Sequence, residues 1–109
     1  MRERNTDRQG RPFPDDIRQA VWRKATVVSG RDPAVVRQDR CGAHICRDKH
    51  GKRVDGGWEI DHIKPVALGG SDDLFNLQPL HWANNLAKGD DLHFANNTAR
   101  LGVKLGCVV

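Results

Sequence analysis

Residues 59–88 contain the side chains of this chain that are best suited to chemistry. Asp61 and His62 are adjacent, and two amides, Asn76 and Asn85, follow fourteen and twenty-three residues beyond the histidine. An aspartate offers a hard oxygen ligand to a divalent cation, and a histidine can accept a proton near neutral pH. We therefore expect metal-assisted hydrolysis at a site built from this segment.

These groups match the needs of phosphodiester hydrolysis. That reaction requires an attacking hydroxide, charge relief at phosphorus and stabilisation of the departing oxygen. One hard cation can supply the last two, and a neutral histidine can supply the first. Each residue also has a structural interpretation: Asp61 as a surface charge, His62 as a half-buried histidine, and Asn76 as a turn residue. Their combination on one predicted hairpin and helix favours the functional interpretation.

A predicted hairpin positions the acid and the histidine. One strand is predicted over residues 58–63, before a proline, and another over residues 76–80. The loop between them is rich in glycine and polar residues, as in long hairpin connections. Adjacent residues of a regular strand point to opposite faces. We therefore expect the strand to end or bend where Asp61 and His62 meet one site.

A short helix is predicted over residues 82–88, ending at Gly89. Its i, i+3, i+4, i+7 stripe places Asn85 beside Leu86 on the face toward the hairpin. A buried amide needs hydrogen-bond partners, and a metal held by the neighbouring aspartate would be one. Lys88 is predicted on the adjoining face, where it could reach a phosphate.

The rest of the chain predicts a single domain preceded by a basic arm. Residues 1–13 are polar and rich in arginine, so we expect a flexible arm. Residues 14–109 are predicted to form one domain. Helical spacing of apolar residues predicts a bracing helix over residues 15–28. Short strands are predicted over residues 41–47 and, from alternating apolar residues, 101–105.

Charge favours a polyanionic partner. Lysine and arginine outnumber aspartate and glutamate by 18 to 14, giving a formal net charge of +4. This excess fits DNA, and we expect phosphate contacts from Lys64, Lys88 and the basic arm. No apolar run approaches the roughly 20 residues of a membrane helix, and no apolar segment follows the basic start. The three cysteines do not make a disulfide framework, so we expect a reduced, cytoplasmic protein.

Four stretches of the chain resemble the motif of the HNH endonuclease family. The resemblance is strong over residues 57–91 and is closest to the small stand-alone HNH proteins of bacteria and their phages. It implies an α+β protein with a ββα-metal (His-Me finger) fold, in which a hairpin and a short helix clasp one divalent cation. The four stretches are WEIDHIKP (58–65), GGSDDL (69–74), NLQPLHW (76–82) and NNLAKGD (84–90).

The resemblance also implies a role for each motif residue. His62 resembles the general-base histidine, and Asp61 resembles the metal ligand that precedes it. Asn76 resembles the middle asparagine, which ties the hairpin loop and helps to hold the base in place. Asn85 occupies the third motif position, where members carry histidine or asparagine, and it would be the second metal ligand. The chain is thus an HNN variant, and Mg²⁺ or Mn²⁺ is the expected ion.

Many relatives carry two Cys-x-x-Cys pairs that bind a structural zinc, and this chain departs from that pattern. Cys41 and Cys46 are separated by four residues. A site could be drawn from these two cysteines with His81 and either His44 or His50. Structural zinc prefers regular spacing, so we do not expect zinc here and interpret both cysteines as small strand residues.

Two functions from different classes follow from this sequence. The leading hypothesis is a metal-dependent DNA endonuclease, and the alternative is a DNA-binding accessory protein that keeps the fold without cutting. A zinc-held interaction module is a weaker third hypothesis. The intact set of Asp61, His62 and Asn85 favours the nuclease, because a pure binder has no need of it. We expect a monomer or weak dimer. With one motif per chain, cutting both strands would need a dimer or two successive nicks.

Overall fold

The computed structural model of the chain describes residues 2–92 and 107–109. Within these residues the chain is α+β, as predicted, with two antiparallel sheets of strand order β1-β2-β3 and β4-β5. No helix in this part of the chain is long and apolar enough to cross a membrane. The elements are α1 (Asp15–Trp22), β1 (Thr26–Val27), β2 (Val36–Gln38), β3 (His44–Cys46), β4 (Trp58–His62), β5 (Leu77–His81) and α2 (Trp82–Lys88).

One face of α1 packs on the β4–β5 hairpin. Val21 and Trp22 of α1 are buried in one apolar cluster with Trp58 and Ile60 of β4. The ring centroids of the two tryptophans lie 5.4 Å apart. Ile45 of β3 belongs to the same cluster, which therefore joins both sheets to the helix. This core fixes the hairpin against the helix that the sequence predicts as a brace.

The helix α1 ends at Trp22 rather than at Val28, so the prediction is wrong beyond Trp22. A turn follows the helix, and Thr26 and Val27 then pair with β2. These β-branched residues favour a strand, because their side chains pack well on a pleated surface. Apolar spacing alone did not separate the strand from a longer helix.

The hairpin has nearly the predicted boundaries. β4 and β5 pair antiparallel with His62 opposite Leu77. The strand predicted over residues 58–63 ends one residue earlier, and the strand predicted over residues 76–80 begins and ends one residue later. The helix α2 has the predicted bounds. Local pattern was sufficient here because strand, loop and helix follow one another directly in the chain.

Pro79 lies in the middle of β5, opposite Ile60 of β4. The N–H group of Ile60 donates to the side-chain oxygen of Asn5 at 2.7 Å, on the edge of β4 that faces away from β5. A proline has no N–H group to donate to the neighbouring strand. No donor is required at position 79, because the paired Ile60 directs its own N–H group away from β5. The second edge of β4 is therefore open to other parts of the chain.

The described part of the predicted arm lies along this open edge. Asn5 accepts a second hydrogen bond from Nε2 of His50 at 2.9 Å, and Thr6 forms an isolated bridge with Pro12. The backbone N–H of Arg8 donates to the carboxylate of Asp72. Residues 2–13 are thus part of the folded domain and not the free arm that composition predicts. Their polar side chains and backbone groups make long-range hydrogen bonds, which composition does not reveal.

A disulfide joins Cys41 to Cys107. This corrects the prediction of reduced cysteines for Cys41 and Cys107, while Cys46 is free. Cys41 also precedes β3, so the prediction that it is a small strand residue is wrong. Residues 108–109 are held nearby, because their N–H groups donate to the side-chain oxygen of Asn84. The two cysteines lie 66 residues apart, so local spacing gave no sign of the pairing. The strand predicted over residues 101–105 lies outside the described residues.

Candidate active site

Asp61, His62 and Asn85 line one cleft, whereas the predicted site residues Asn76 and Lys64 do not line it. The cleft has a volume of about 270 Å³ and lies along the open edge of β4. Asp61 and His62 reach it from β4, and Asn85 reaches it from α2. Three cationic residues, Arg2, Arg4 and Lys88, also line it, together with the acidic Asp90.

Asp61 and His62 are the last two residues of β4. The strand keeps its pairing as far as His62 and ends there, in agreement with the expectation that it ends or bends at this site. The two side chains leave opposite faces of the strand, as regular geometry requires. Both side chains still line the cleft at this end of the strand.

His62 is nearly buried, with 3% of its surface exposed, and it is held from two sides. Its Nε2 lies 2.7 Å from Oδ1 of Asp72, and its ring centroid lies 5.8 Å from that of Phe13. A carboxylate only accepts hydrogen bonds, so this contact assigns the proton of the neutral imidazole to Nε2. Nδ1 has no hydrogen-bond partner among the described residues and can accept one in the cleft.

Asp61 is a buried carboxylate with two protein partners. Nε2 of Gln78 donates to its Oδ2 at 2.9 Å, and Nζ of Lys88 lies 3.2 Å from its Oδ1. Burial raises the pKa of Asp61, and the Lys88 ammonium and the Gln78 amide oppose that rise. The contact with Lys88 therefore supplies the countercharge that a buried carboxylate needs.

Lys88 lies inside the domain, although we predicted it on an adjoining face from which it could reach a phosphate. Its side chain is 2% exposed, and its Nζ donates to the backbone oxygen of His62 at 2.9 Å. With Asp61 as its second partner, the ammonium joins α2 to the end of β4. The ammonium of Lys88 therefore bonds to the protein itself. Lys64, the other lysine predicted to contact phosphate, is exposed.

Asn85 is buried toward the hairpin, as predicted. Its Nδ2 donates to Oε1 of Glu59 at 2.9 Å, and Nε of Arg4 lies 3.9 Å from the same oxygen. The side-chain oxygen of Asn85 has no partner among the described residues. Asn85 therefore presents a carbonyl oxygen to the cleft that also receives Asp61.

Asn76 closes the loop between the two strands. Its Oδ1 accepts the N–H of Lys64 at 2.8 Å, and its Nδ2 donates to the carbonyl oxygens of Lys64 at 3.1 Å and Ser71 at 2.8 Å. Gly70 lies within this closed loop, and a side chain there would collide with the carbonyl oxygen of Lys64. These contacts fix the loop that carries Asp72 to His62.

Residues 40–91 match the model of a family described as HNH endonuclease. This segment belongs to the HNH endonuclease family. No curated protein and no solved structure matches the chain significantly. The matched HNH segment contains the hairpin and α2, and with them every site residue predicted from the sequence. The cleft-lining residues Arg2 and Arg4 lie outside it.

The helix of the HNH domain buries a polar face. The stripe that predicted its inward face is wrong at Leu86, which is 50% exposed, while Asn84 is fully buried. Asn84 donates to the buried carboxylate of Asp39 at 3.0 Å, and Asn85 and Lys88 have the partners described above. Because acidic side chains face the helix, hydrogen bonding and not apolar periodicity decides which residues point inward.

The donor groups of the HNH site fit a hard divalent cation in their chemistry. Asp61 and Asn85 carry carboxylate and amide oxygens, which Mg²⁺ and Mn²⁺ accept as ligands. The described residues contain no group of three or more His, Cys, Asp or Glu side chains that could hold a metal. A cation bound by these two oxygens would therefore take its other ligands from water or substrate.

Sequence reasoning missed several residues of the HNH site. Glu59 was detectable, because Glu59 and Asp61 are two residues apart in a strand and so share a face. Asp72 and Arg4 gave no local signal, because their positions depend on how a loop and the N-terminal segment fold back. Gln78 becomes identifiable only once the register places it opposite Asp61.

Proposed function

We propose that this protein is a metal-dependent endonuclease that hydrolyses phosphodiester bonds of DNA, with His62 as the general base. The observation that carries the proposal is the single cleft that receives Asp61, His62 and Asn85. In that cleft the imidazole has one nitrogen committed to Asp72 and the other without a partner among the described residues. This arrangement suits a base that takes a proton from a water molecule.

In the proposed reaction, water attacks phosphorus while Nδ1 of His62 accepts its proton. The new P–O bond forms as the bond to the departing sugar oxygen breaks. Asp61 and Asn85 would hold one Mg²⁺ or Mn²⁺ ion, which when bound supplies positive charge for the departing oxygen. With β4, β5 and α2 around that ion, the domain would have the ββα-metal arrangement. Asn76 would support the base by closing the loop between β4 and β5, which carries Asp72 to His62.

Positive charge around the cleft supports a polyanionic substrate. Arg2 and Arg4 line the cleft, and the exposed Lys64 lies two residues beyond the end of β4. Lys88 lines it too, with its ammonium already engaged by Asp61. We therefore assign phosphate contacts first to Arg2, Arg4 and Lys64. We thus expect the N-terminal segment to contact phosphate through these arginines at the cleft and not as a freely trailing arm.

Supercoiled plasmid incubated with Mg²⁺ or Mn²⁺ tests the function. We expect nicked or linear product from the wild-type protein. His62→Ala should lower turnover by roughly 10²–10⁴-fold, the usual contribution of general-base catalysis, with DNA binding retained. His44→Ala is the control, because His44 is exposed on β3. Binding without cleavage by the wild-type protein would support the accessory-protein alternative, and equal turnover of His62→Ala would remove the proposed base.

A further inference from the structure

Asp72 contacts the proposed base, His62, through one nitrogen of its imidazole ring. Its Oδ1 lies 2.7 Å from Nε2 of His62, and its side chain is 40% exposed while that of His62 is 3% exposed. An ion pair between two exposed groups contributes little. Here one partner is a nearly buried imidazole, so the carboxylate meets a group with few alternative orientations.

The carboxylate of Asp72 is itself held in place. The backbone N–H of Arg8 donates to both of its oxygens, at 3.1 and 3.2 Å. Arg8 lies in a turn closed by Asp7, whose side chain accepts from the N–H groups of Gln9 and Arg11. On the other side, the carbonyl oxygen of Ser71 accepts from Asn76. Asp72 is thus fixed both by the N-terminal segment and by the hairpin loop.

We propose that Asp72 is a positioning residue for His62. It accepts the Nε2–H bond, keeps the neutral ring in the tautomer with Nδ1 unprotonated, and so directs Nδ1 toward the water in the cleft. This inference rests on the proposed function, in which His62 is the base. Carboxylates that orient a histidine in this way fix both its tautomer and its ring orientation.

The neighbouring Asp73 provides a matched control. It lies in the same loop and is exposed, and its carboxylate accepts from the hydroxyl of Ser71 at 3.0 Å. Asp72→Ala and Asp73→Ala remove the same charge from adjacent positions. Any effect of charge on DNA affinity should therefore be similar in the two variants, whereas an effect on His62 should be confined to Asp72.

Kinetics on plasmid or a short duplex test the role. Asp72→Ala should lower kcat by roughly 10–100-fold, as for other carboxylates behind a histidine, with KM and the melting temperature close to those of Asp73→Ala. Asp72→Asn keeps an acceptor oxygen and should retain an intermediate kcat. On a His62→Ala background, Asp72→Ala should cause no further loss, because residues that act as one unit are not additive. Equal kcat values for Asp72→Ala and Asp73→Ala would overturn the proposal.

A spectroscopic measurement separates this inference from the nuclease proposal. Long-range proton–nitrogen correlation of the imidazole at mildly alkaline pH reports which ring nitrogen carries the proton. The wild-type protein and Asp73→Ala should show His62 protonated at Nε2, and Asp72→Ala should lose that preference. This readout needs no cleavage, so a wild-type protein that binds without cutting would refute the nuclease and still test Asp72. An unchanged tautomer in Asp72→Ala would refute the positioning role.

Discussion

Lys88 supplies the positive charge that stabilises the buried carboxylate of Asp61. Its ammonium contacts both Oδ1 of Asp61 and the backbone oxygen of His62, and α2 carries it into the domain. A buried carboxylate without such a partner is costly, and burial already raises the pKa of Asp61. The lysine thus has a structural task at the position where the sequence suggested a phosphate contact.

Lys88→Met should destabilise the domain strongly. The change leaves the Asp61 carboxylate buried without its cation, and removal of one partner of a buried pair costs roughly 3–5 kcal/mol. Urea unfolding without divalent metal measures the loss. Lys52→Met is the control, because Lys52 is exposed, and it should change the free energy of unfolding little. Similar unfolding midpoints for the two variants would show that the ion pair does not stabilise the fold.

Asp61→Ala and Asn85→Ala should each raise the Mg²⁺ or Mn²⁺ concentration needed for half-maximal cleavage. The aspartate change should have the larger effect, because it removes a negative charge as well as an oxygen ligand. A metal titration of plasmid cleavage measures both, with the exposed Asp55→Ala as control. The assigned ligands are wrong if neither midpoint differs from that of the control.

At the scale of elements, structure formed by residues close together in the chain was predicted more accurately than contacts between distant segments. The hairpin and α2 were predicted nearly to the residue because the motif and its turns are local. The end of α1 was not, because Thr26 and Val27 become a strand only by pairing with β2. The contact of Asp72 with His62 required knowledge of the loop conformation. The N-terminal contacts required a segment that composition describes only as polar and basic.

Deletion of residues 1–13 would affect the active site as well as DNA binding. A free basic arm could be removed with a loss of DNA affinity alone. The structure places Asn5 on β4, Arg8 on Asp72 and Phe13 beside His62. Deletion would disturb the proposed base as well as remove positive charge. Point substitutions are therefore needed to separate the two contributions.

His50 should make stability depend on pH. It hydrogen-bonds Asn5 and lies edge-on to Trp58, with ring centroids 4.7 Å apart. Burial, with a smaller contribution from Arg18, lowers the pKa of His50 from 6.5 to about 4. Between these values the unfolded chain binds a proton that the folded domain does not, so the free energy of unfolding falls as pH falls.

Unfolding measured across that pH range tests the contribution of His50. His50→Gln retains a side-chain donor for Asn5 and cannot titrate, so its stability should fall less steeply with decreasing pH than that of the wild type. His44→Gln, at an exposed position on β3, should keep the wild-type slope. Parallel curves for wild type and His50→Gln would show that the histidine does not titrate differently on folding.

At the scale of the whole molecule, the basic N-terminal segment joins two hollows. Arg2 and Arg4 line the 270 Å³ cleft, and both also line an adjoining groove of about 740 Å³ that contains Arg53. The groove thus continues the cleft past the edge of β4. A DNA strand whose scissile phosphate lies at His62 would place a neighbouring phosphate near these arginines. Asp61 and Asp90 also line the cleft, and Glu3 and Glu59 also line the groove, so each hollow has three cationic and two acidic side chains.

Replacing Arg2 and Arg4 together by alanine should lower affinity for unrelated DNA duplexes by similar factors. The slope of log affinity against log salt should also flatten, by roughly 0.9 for each phosphate that is no longer neutralised, since fewer counterions are released. The control removes the same charge elsewhere: Arg23 and Arg31 are exposed and line neither hollow. Binding is measured at several salt concentrations with the divalent metal omitted. If both double variants gave the wild-type slope, the arginines beside the cleft would not contact phosphate, and other basic residues would have to account for binding.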